Sequence, residues 1–367
     1  MCVIAGYTGG RRAAPILIEM LKRTEYFDGG MATGIATIHE GKLYTAKLLG
    51  DVDTLLEKTD ALNFPGTTGI IHSRPSRSYA QHAHPFVDAS GELAFCENGT
   101  YHQATAPAFH EVGEAIMADL FGRGVRFSSA FGEAGTTYGP AQLVLPDGRS
   151  IHNAEIYTQA IGDAVRGVPS EGLADAIAKE TAAILSRLPA ELVTLSVHAR
   201  LPDTITVGRI TRPMTVGFGN GETFLSTTPL SFPEEVRERP HLAIPPTTIA
   251  RVTPAGVKLL NLPIEGVRVE QGDARVLATL RALLEERLSG RRDDPLAMEE
   301  FADRDWFPLL WHEPRIDCHI AADVGTMKET AAIVYEALLS FYREGRLHWR
   351  LGRIEEKKKD IMKFWIE

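Results

Sequence analysis

The chain has 367 residues, of which 44% are hydrophobic, and it carries a formal net charge of -9 at pH 7. A chain of this length and composition can bury a sizeable core, so we expect one large domain followed by a smaller one. The acidic balance argues against a general basic surface for nucleic acid or an anionic membrane. No apolar run approaches the length of a membrane span.

The cysteines are Cys2, Cys96 and Cys318, an odd number with wide spacing. Such spacing forms neither a disulfide framework nor a zinc-binding pattern. We therefore expect a cytoplasmic protein that has no metal, no cofactor and no membrane partner.

The first candidate functional residue is Cys2, which directly follows the initiator methionine. Removal of Met1 would leave a free α-amino group, whose ordinary pKa of about 7.7 to 8 suits a general base at neutral pH. One residue would then supply both nucleophile and base, and a neighbouring cation would favour the reactive thiolate. The alternative is that a cysteine stands at this position by chance.

The elements that follow indicate an α plus β fold. The apolar, β-branched residues 3–7 predict a strand, and residues 13–24 predict a helix with one apolar face. Strands are expected at 34–38 and 42–46, around a turn at Glu40-Gly41, and a helix is expected from about residue 53. This order is rich in hairpins and differs from a regular alternation of strands and helices.

Two further candidates follow predicted strands. Arg74 follows the strand 68–73, where a guanidinium can hold a carboxylate through two parallel hydrogen bonds. A surface ion pair is the alternative for this arginine. The strand 92–96 leads to Asn98-Gly99, a dipeptide that by itself is typical of a tight hairpin turn.

The middle of the chain continues the mixed pattern. Helices are predicted at 108–123, 154–165 and 170–188, with Asn153 as a possible N-cap of the second, and residues 132–139 form a glycine-rich loop. Strands are expected at 192–197, 205–209, 215–218, 223–226, 248–252 and 256–262. The glycines within 217–221 join two strands and open no helix, which argues against a dinucleotide site.

Residues 266–367 are predicted to be a smaller, mainly helical C-terminal extension. Helices are expected at 277–288, 324–343 and 355–365, with a basic hairpin at 345–354. We interpret this extension as a docking element, packed on the first domain or on a second subunit. Its basic cluster leaves open a winged-helix DNA-binding module, against which the acidity of the rest of the chain argues.

Several short motifs occur in a fixed order along the chain. They are Met1-Cys2-Val3-Ile4-Ala5-Gly6-Tyr7, Thr68-Gly69-Ile70-Ile71-His72-Ser73-Arg74, Ala83-His84-Pro85-Phe86 and Glu97-Asn98-Gly99, followed by residues 217–224. In their order and spacing, they resemble the glutaminase domain of the class II glutamine amidotransferases, most closely that of the glutamine–fructose-6-phosphate aminotransferases. The resemblance assigns residues 1–265 to this domain. It implies an N-terminal-nucleophile hydrolase fold, an αββα sandwich of two sheets between helix layers.

The resemblance also implies a reaction. Cys2 would attack the carboxamide of glutamine to form a thioester, and Asn98 and Gly99 would form the oxyanion hole. Residues 266–367 do not resemble the sugar-isomerase part of the aminotransferases. The released ammonia would therefore pass to a separate acceptor or synthase subunit, and assembly of the chain as a homo-oligomer is left open.

Substrate binding is implied for three residues. Arg74 matches the arginine that holds the α-carboxylate of glutamine. Asn153 stands where the family has an aspartate that accepts from the α-ammonium group, and an amide offers no charge to a cation. Either Glu155 or Asp147 supplies the missing charge, or the substrate is not ordinary glutamine.

Departures from the family pattern keep other functions open. Glu97 replaces the family's histidine beside the oxyanion hole, and residues 75–79 replace its loop after the arginine. With the neutral Asn153, these changes favour either an amidase that acts on another amide or a non-catalytic, regulatory relative.

Overall fold

The computed structural model describes residues 2–75, 80–100, 107–131, 143–270, 274–297, 326–328, 330–354 and 359–367. The helices in these ranges are α1 (Ala13–Asp28), α2 (Val52–Lys58), α3 (Pro107–Gly122), α4 (Asn153–Ala164), α5 (Ser170–Arg187), α6 (Glu234–Arg237), α7 (Ala274–Leu288) and α8 (Thr330–Arg343). The strands are β1 (Val3–Thr8), β2 (Ala32–His39), β3 (Lys42–Leu49), β4 (Thr68–Arg74), β5 (Phe86–Val87), β6 (Leu93–Thr100), β7 (Glu191–His198), β8 (Ile205–Arg209), β9 (Thr215–Phe218), β10 (Thr223–Ser226), β11 (Leu242–Ala243), β12 (Thr248–Thr253), β13 (Gly256–Leu260), β14 (Arg268–Glu270), β15 (Leu296–Ala297), β16 (Thr326–Lys328), β17 (Leu347–Ile354) and β18 (Lys359–Ile366). Met1, the glycine-rich loop 132–139 and Cys318 lie outside the described residues.

Two antiparallel sheets face each other in the larger domain. The first has the strand order β11-β9-β10-β1-β4-β2-β3 and the second β13-β12-β8-β7-β6-β5. Apolar residues of both sheets, such as Ile70 and Val193, form one buried cluster between them. Further clusters join α1 and α2 to the first sheet, and α3, α4 and α5 to the second. The predicted αββα sandwich is confirmed.

Strand β1 lies in the middle of the first sheet, between β10 and β4. All of its residues are buried, because successive side chains point to opposite faces and both faces are covered. Ile4 contributes to the cluster between the sheets, whereas Val3 and Ala5 face the layer of α1. The register pairs Val3 with Ser73. Cys2 therefore lies at the end of the sheet, where β1 begins and β4 ends.

Among the described residues, no helix combines the length and the apolar character needed to cross a membrane.

The C-terminal extension differs from its prediction. The predicted helix at 355–365 is wrong, because β18 forms an antiparallel ladder with β17 there. Phe364 and Ile366 of β18 are buried and alternate with the more exposed Lys363 and Trp365, a period of two that favours a strand. The predicted helix at 324–343 begins only at Thr330, since 326–328 pair with β14. The described extension is therefore mixed in helix and strand, and not mainly helical.

The extension packs on the end of α1. Phe27 of this helix belongs to the same buried cluster as residues of α7, α8, β17 and β18. Its ring stacks on Tyr335 of α8 at a centroid distance of 5.3 Å and meets Phe364 edge-on at 5.4 Å. Within the chain, the extension thus docks on the larger domain.

The sequence leaves open a winged-helix module in the extension, whose described elements follow in the order β14, α7, β15, β16, α8, β17 and β18, with the sheet order β15-β18-β17. A DNA-reading module of this kind must present its recognition helix to the major groove. Here Tyr335, Leu338 and Phe341 of α8 are buried, and the Arg237 guanidinium lies 6.0 Å from the ring centroid of Tyr342. Because α8 packs on α7 and on the larger domain, this arrangement argues against DNA reading.

We expect Phe27→Ala to lower the free energy of unfolding by about 3 to 5 kcal/mol, because the change leaves a cavity between Tyr335 and Phe364. Denaturant unfolding followed by tryptophan fluorescence measures this loss. Phe64→Ala is the matched control, since Phe64 is only partly buried, and it should cost less. Equal losses in the two variants would contradict the role of Phe27 as the anchor of the extension.

Candidate active site

The thiol of Cys2 lies among charged side chains. Arg74 from the end of β4, Glu97 from β6 and Arg212 from the loop after β8 all act on its ionisation. Burial raises the pKa of the Cys2 thiol, and the cations Arg74 and Arg212 oppose this shift only in part. The resting form is therefore the thiol, which differs from the expectation that a neighbouring cation alone would favour the thiolate. Attack by this sulfur requires a base.

Arg74 is fixed at the end of β4, next to Cys2. Its carbonyl accepts a hydrogen bond from the Met31 N–H at 3.0 Å, and its Nη1 donates to the carbonyl of His82 at 3.2 Å. Arg74 also has the largest electrostatic effect of any residue on the Cys2 thiol. The structure thus brings together two of the residues predicted from sequence. The guanidinium can neutralise an anion bound near the sulfur.

Asn98-Gly99 forms no hairpin turn, because both residues lie within β6 and pair with Val193 and Leu192 of β7. Gly99 is required by close packing, since a Cβ atom there would lie 2.6 Å from the Leu192 Cβ. The Asn98 side chain is fully buried, and neither its Oδ1 nor its Nδ2 has a hydrogen-bond partner among the described residues. Such unpaired polar atoms are costly unless a bound group satisfies them.

The side chain of Asn98 lies on the face of β6 that is directed to the other sheet. Residues two apart on a strand share a face, and Cys96 belongs to the cluster between the sheets. The charge of a Cys2 thiolate contributes to raising the pKa of Cys96, although burial is the main cause. Asn98 therefore points into the space between the sheets, toward the end where Cys2 lies. An amide N–H in this position can donate to an oxyanion.

Glu97 points to the opposite face of β6. Its carboxylate lies near His84 and His152, whose ligand atoms and its own fall within 4.8 Å of one another. The carboxylate still contributes to raising the pKa of Cys2. Glu97, the residue predicted to disturb the oxyanion hole, thus lies on the face of β6 opposite to Asn98.

His84, Glu97 and His152 are side chains that could hold a metal ion. Nδ1 of His152, however, accepts a hydrogen bond from the Ala154 N–H at 3.2 Å. In a neutral ring this bond leaves the proton on Nε2, which then has no lone pair for a metal. With this tautomer of His152, only His84 and Glu97 of the three residues can be ligands, fewer than the three that zinc sites usually take from a protein.

Comparison with known proteins agrees with this geometry. No protein-family model matches the chain. In sequence, the chain is 29% identical over 276 residues to the glutamine–fructose-6-phosphate aminotransferase of Thermosynechococcus vestitus, covering 74% of this chain and 38% of that protein. For the enzyme of the same name from Mycolicibacterium smegmatis, the identity is 30% over 248 residues, covering 65% of this chain and 34% of the relative.

In structure, the chain is similar to the glutamine phosphoribosylpyrophosphate amidotransferase from B. subtilis. The TM-score is 0.53 and the sequence identity 16%, over 78% of this chain and 58% of that one. The chain is thus a homologue of the glutamine–fructose-6-phosphate aminotransferases, and it shares the fold of a glutamine amidotransferase. It spans 38% and 34% of the two sequence relatives, little more than a third of their length.

The two residues predicted at the ammonium position of the amidotransferase family lie on α4. Asn153 is buried and its Oδ1 accepts from the Leu143 N–H at 3.3 Å. It is the first residue of the helix, and the N-cap is His152, so the predicted capping role of Asn153 is wrong by one residue. The N-cap lies one residue earlier than predicted because the His152 ring accepts the capping hydrogen bond from the Ala154 N–H.

Glu155 is fully buried, and its carboxylate is held by a tight turn. It accepts hydrogen bonds from the backbone N–H and the hydroxyl of both Ser128 and Ser129, at 2.5 to 2.7 Å. A contact with a substrate ammonium would have to displace one of these donors. The carboxylate therefore serves the local structure of this amidotransferase homologue.

Arg212 is a site residue that the sequence analysis missed. It is buried, its Nε donates to the Glu191 carbonyl at 3.1 Å, and its Nη2 lies 3.5 Å from the Glu191 carboxylate. It lies in a loop without a recognisable motif, more than 200 residues from Cys2 in sequence. Only the pairing of β1 with its neighbours and the packing of the two sheets bring it to the thiol.

A buried carboxylate, Glu25 of α1, supports the end of β4. It accepts from the Ser73 hydroxyl at 2.7 Å, the Thr33 hydroxyl at 3.0 Å and the Val52 N–H at 2.9 Å. Burial raises the pKa of Glu25 from 4.5 to about 7, although these hydrogen bonds oppose the shift. Through Ser73, this carboxyl group helps to fix the strand that carries Arg74.

The stability of the protein should therefore depend on the Glu25 proton. Between about pH 4.5 and 7 the folded state keeps this proton and the unfolded state loses it, so stability falls as pH rises through this window. The loss is about 3 kcal/mol and is complete above the folded pKa. Glu25→Gln should flatten this dependence in denaturant titrations from pH 4.5 to 8. The control Glu57→Gln, at an exposed position of α2, should leave it in place; an unchanged slope in Glu25→Gln would refute the assignment.

Proposed function

We propose that the chain is a glutamine-hydrolysing enzyme of the class II amidotransferase type, with Cys2 as its nucleophile. The observations that carry this proposal are the position of Cys2 where β1 begins and β4 ends, and the buried amide of Asn98, which has no hydrogen-bond partner among the described residues. A nucleophile beside a pre-aligned, water-excluded donor is the arrangement that acyl transfer requires.

The proposed reaction begins with removal of Met1, which frees the α-amine of Cys2 as the base. The amine takes the thiol proton while the sulfur attacks the carboxamide carbon, and the Asn98 amide with the Gly99 N–H stabilises the resulting oxyanion. Collapse of this intermediate breaks the C–N bond, and the amine returns the proton to the leaving ammonia. Water, activated by the same amine, then hydrolyses the thioester to glutamate. Because burial raises the pKa of the thiol, this base is essential.

Arg74 is the proposed partner of the substrate carboxylate, since it lies at the same end of the β1–β4 ladder as Cys2 and its charge lowers the pKa of the thiol. Asn153 is the proposed contact of the α-ammonium group, through its side-chain amide oxygen. Glu155 is a weaker candidate because four donors already surround its carboxylate.

The acceptor of the ammonia is proposed to be a separate synthase subunit. The two sequence relatives are named for amino transfer to fructose 6-phosphate, and each is more than twice as long as the matched region. In this chain the larger domain, residues 1–265, is followed by the extension of residues 266–367 instead. Release of free ammonia is the alternative, and a homo-oligomer is compatible with either route.

A second candidate, an amidase that acts on an amide without an α-ammonium group, is favoured by the ammonium position itself. Asn153 is neutral, and the carboxylate of Glu155 on the same helix already accepts hydrogen bonds from Ser128 and Ser129. An uncharged substrate would suit this pocket better than an ammonium ion.

Glutamine turnover by the chain without Met1 tests the proposal. Cys2→Ala should abolish it, and Asn98→Ala should lower kcat by about 100- to 1,000-fold with little change in KM, because the lost donor acts only on the oxyanion. Asn63→Ala is the matched control, since Asn63 is exposed and bonds only locally, to Asp60 at 2.6 Å. Wild-type kcat in Asn98→Ala would contradict the oxyanion role.

Two variants distinguish glutamine from another amide. Arg74→Ala should raise the KM for glutamine strongly, because the substrate carboxylate loses a charge-assisted pair. Asn153→Asp should lower KM by about 5- to 150-fold by adding a charged acceptor for the ammonium. Steady-state ammonia release measures both, with Asn63→Asp as the control for added charge. Unchanged KM values in both variants would remove glutamine as the substrate and favour the amidase.

A further inference from the structure

Lys47 of β3 is a cation that the proposed reaction does not use. Its Nζ donates to the Gln81 carbonyl at 3.4 Å and lies 4.5 Å from the ring centroid of Phe86. The side chain is half-buried. A carbonyl and an aromatic face together hold an ammonium group that would otherwise move freely in water. The charge of Lys47 therefore has a defined place in the fold.

The pairing of the first sheet places Lys47 on the same face as Cys2. Lys47 lies opposite Gly34 on β2, which lies opposite His72 on β4. His72 in turn lies opposite Ile4 on β1, a residue of the cluster between the two sheets. Residues directly opposite each other share a face of a sheet, and so do residues two apart, such as Ile4 and Cys2. Lys47 and Cys2 are therefore both on the face directed to the second sheet.

One short turn holds both Lys47 and Arg74. Lys47 donates to the carbonyl of Gln81, and Nη1 of Arg74 donates to the carbonyl of His82 at 3.2 Å. These two carbonyls are successive in the helical turn Ala80–His82. Arg74 is the proposed partner of the α-carboxylate of the substrate. The ammonium group of Lys47 therefore lies close to the α end of the bound amide.

The proposed contact of the α-ammonium group lies near the same lysine. The Phe86 ring, on which Lys47 packs, meets the His152 ring at a centroid distance of 5.2 Å, and His152 directly precedes Asn153. Burial lowers the pKa of Lys47 from 10.5 to about 8, and the negative charge of Glu155 opposes this shift. At pH 7 the amine is therefore mostly protonated. A fixed positive charge at this place repels a second ammonium group.

We propose that Lys47 is a specificity-determining residue of the Cys2 site, which favours amides whose α carbon carries a carboxylate but no ammonium group. Glutaramate, which is glutamine without its α-amino group, is the simplest amide of this class. Arg74 and Lys47 together attract its carboxylate, and the neutral Asn153 has no charge to meet. This inference rests on the proposed amide hydrolysis at Cys2 and names the class of amide that it prefers.

Binding to the full chain without Met1 and with Cys2→Ala tests this preference without turnover. Calorimetric titration at pH 7 gives the Kd of glutaramate and of L-glutamine, and glutaramate should bind more tightly. Lys47→Met removes the charge and keeps an apolar side chain, so the preference for glutaramate should fall by about tenfold. Lys47→Arg keeps the charge and should keep the preference.

Lys42→Met is the matched control. Lys42 is exposed on the same strand, five residues from Lys47 and thus on the opposite face. Its variant should keep the preference for glutaramate. The proposal would be overturned by tighter binding of glutamine to the parent chain, by binding of neither amide, by an unchanged preference in Lys47→Met, or by an equal loss in Lys42→Met.

A second charge-removing variant keeps the test decisive if Lys47→Met folds poorly. Lys47→Gln retains a donor for the Gln81 carbonyl, and the same fall in preference is expected; an unchanged preference would overturn the proposal.

Ammonia release by the chain with Cys2 intact separates this proposal from the proposed function. With glutaramate as the substrate, Lys47→Met should raise KM and leave kcat nearly unchanged, because the charge acts on the α end before and during the reaction alike. A chain that hydrolyses neither amide but shows the calorimetric difference would reject the proposed function and keep the role of Lys47. Hydrolysis of both amides with the same KM in the wild type and in Lys47→Met would keep the function and reject this role.

Discussion

The pairing of β1 with β4 is the constraint on which the site depends. Val3 lies opposite Ser73 in this ladder, so the first residue before β1 and the last residue of β4, Cys2 and Arg74, meet at one end of the sheet. Both faces of β1 are covered by apolar clusters, and a shift of one residue would send all of its buried side chains to the wrong face. The register of a buried strand therefore fixes the distance between nucleophile and cation far more firmly than a loop could.

The same burial that fixes Cys2 also works against its ionisation. Taking a thiol out of water raises its pKa, and the two guanidinium groups nearby offset this only in part. A cysteine nucleophile at this end of the sheet must therefore lose its proton during the reaction. In the proposed reaction, the α-amine exposed by removal of Met1 takes the proton, while Arg74 and Arg212 stabilise the charge. Burial thus gives precise placement of the sulfur and makes these surrounding groups necessary.

Sequence alone predicted the parts of the site that depend on local pattern. Cys2 before an apolar run and Arg74 after one could be assigned to strand ends, and the structure confirms both positions. Asn98-Gly99 shows the limit of such reasoning, because the turn-forming dipeptide is overridden by pairing with β7. The helix predicted at 355–365 is wrong for a related reason. Strand β18 forms there because it pairs with β17, and this pairing is not visible in the local sequence pattern. Arg212 carries no local signal, because long-range packing alone brings it to Cys2.

Alternation along β6 separates Glu97 from Asn98, the proposed donor to the oxyanion. Asn98 and Cys96 face the space between the sheets, whereas Glu97 faces the histidines behind the strand. A carboxylate on the face of Asn98 would repel a developing oxyanion directly, but on the opposite face the backbone separates the two charges. The amide of Asn98 is then free to donate, and it has no partner among the described residues. A buried donor left unpaired costs stability in the resting protein, which is the cost expected of a group aligned for a charge that exists only during reaction.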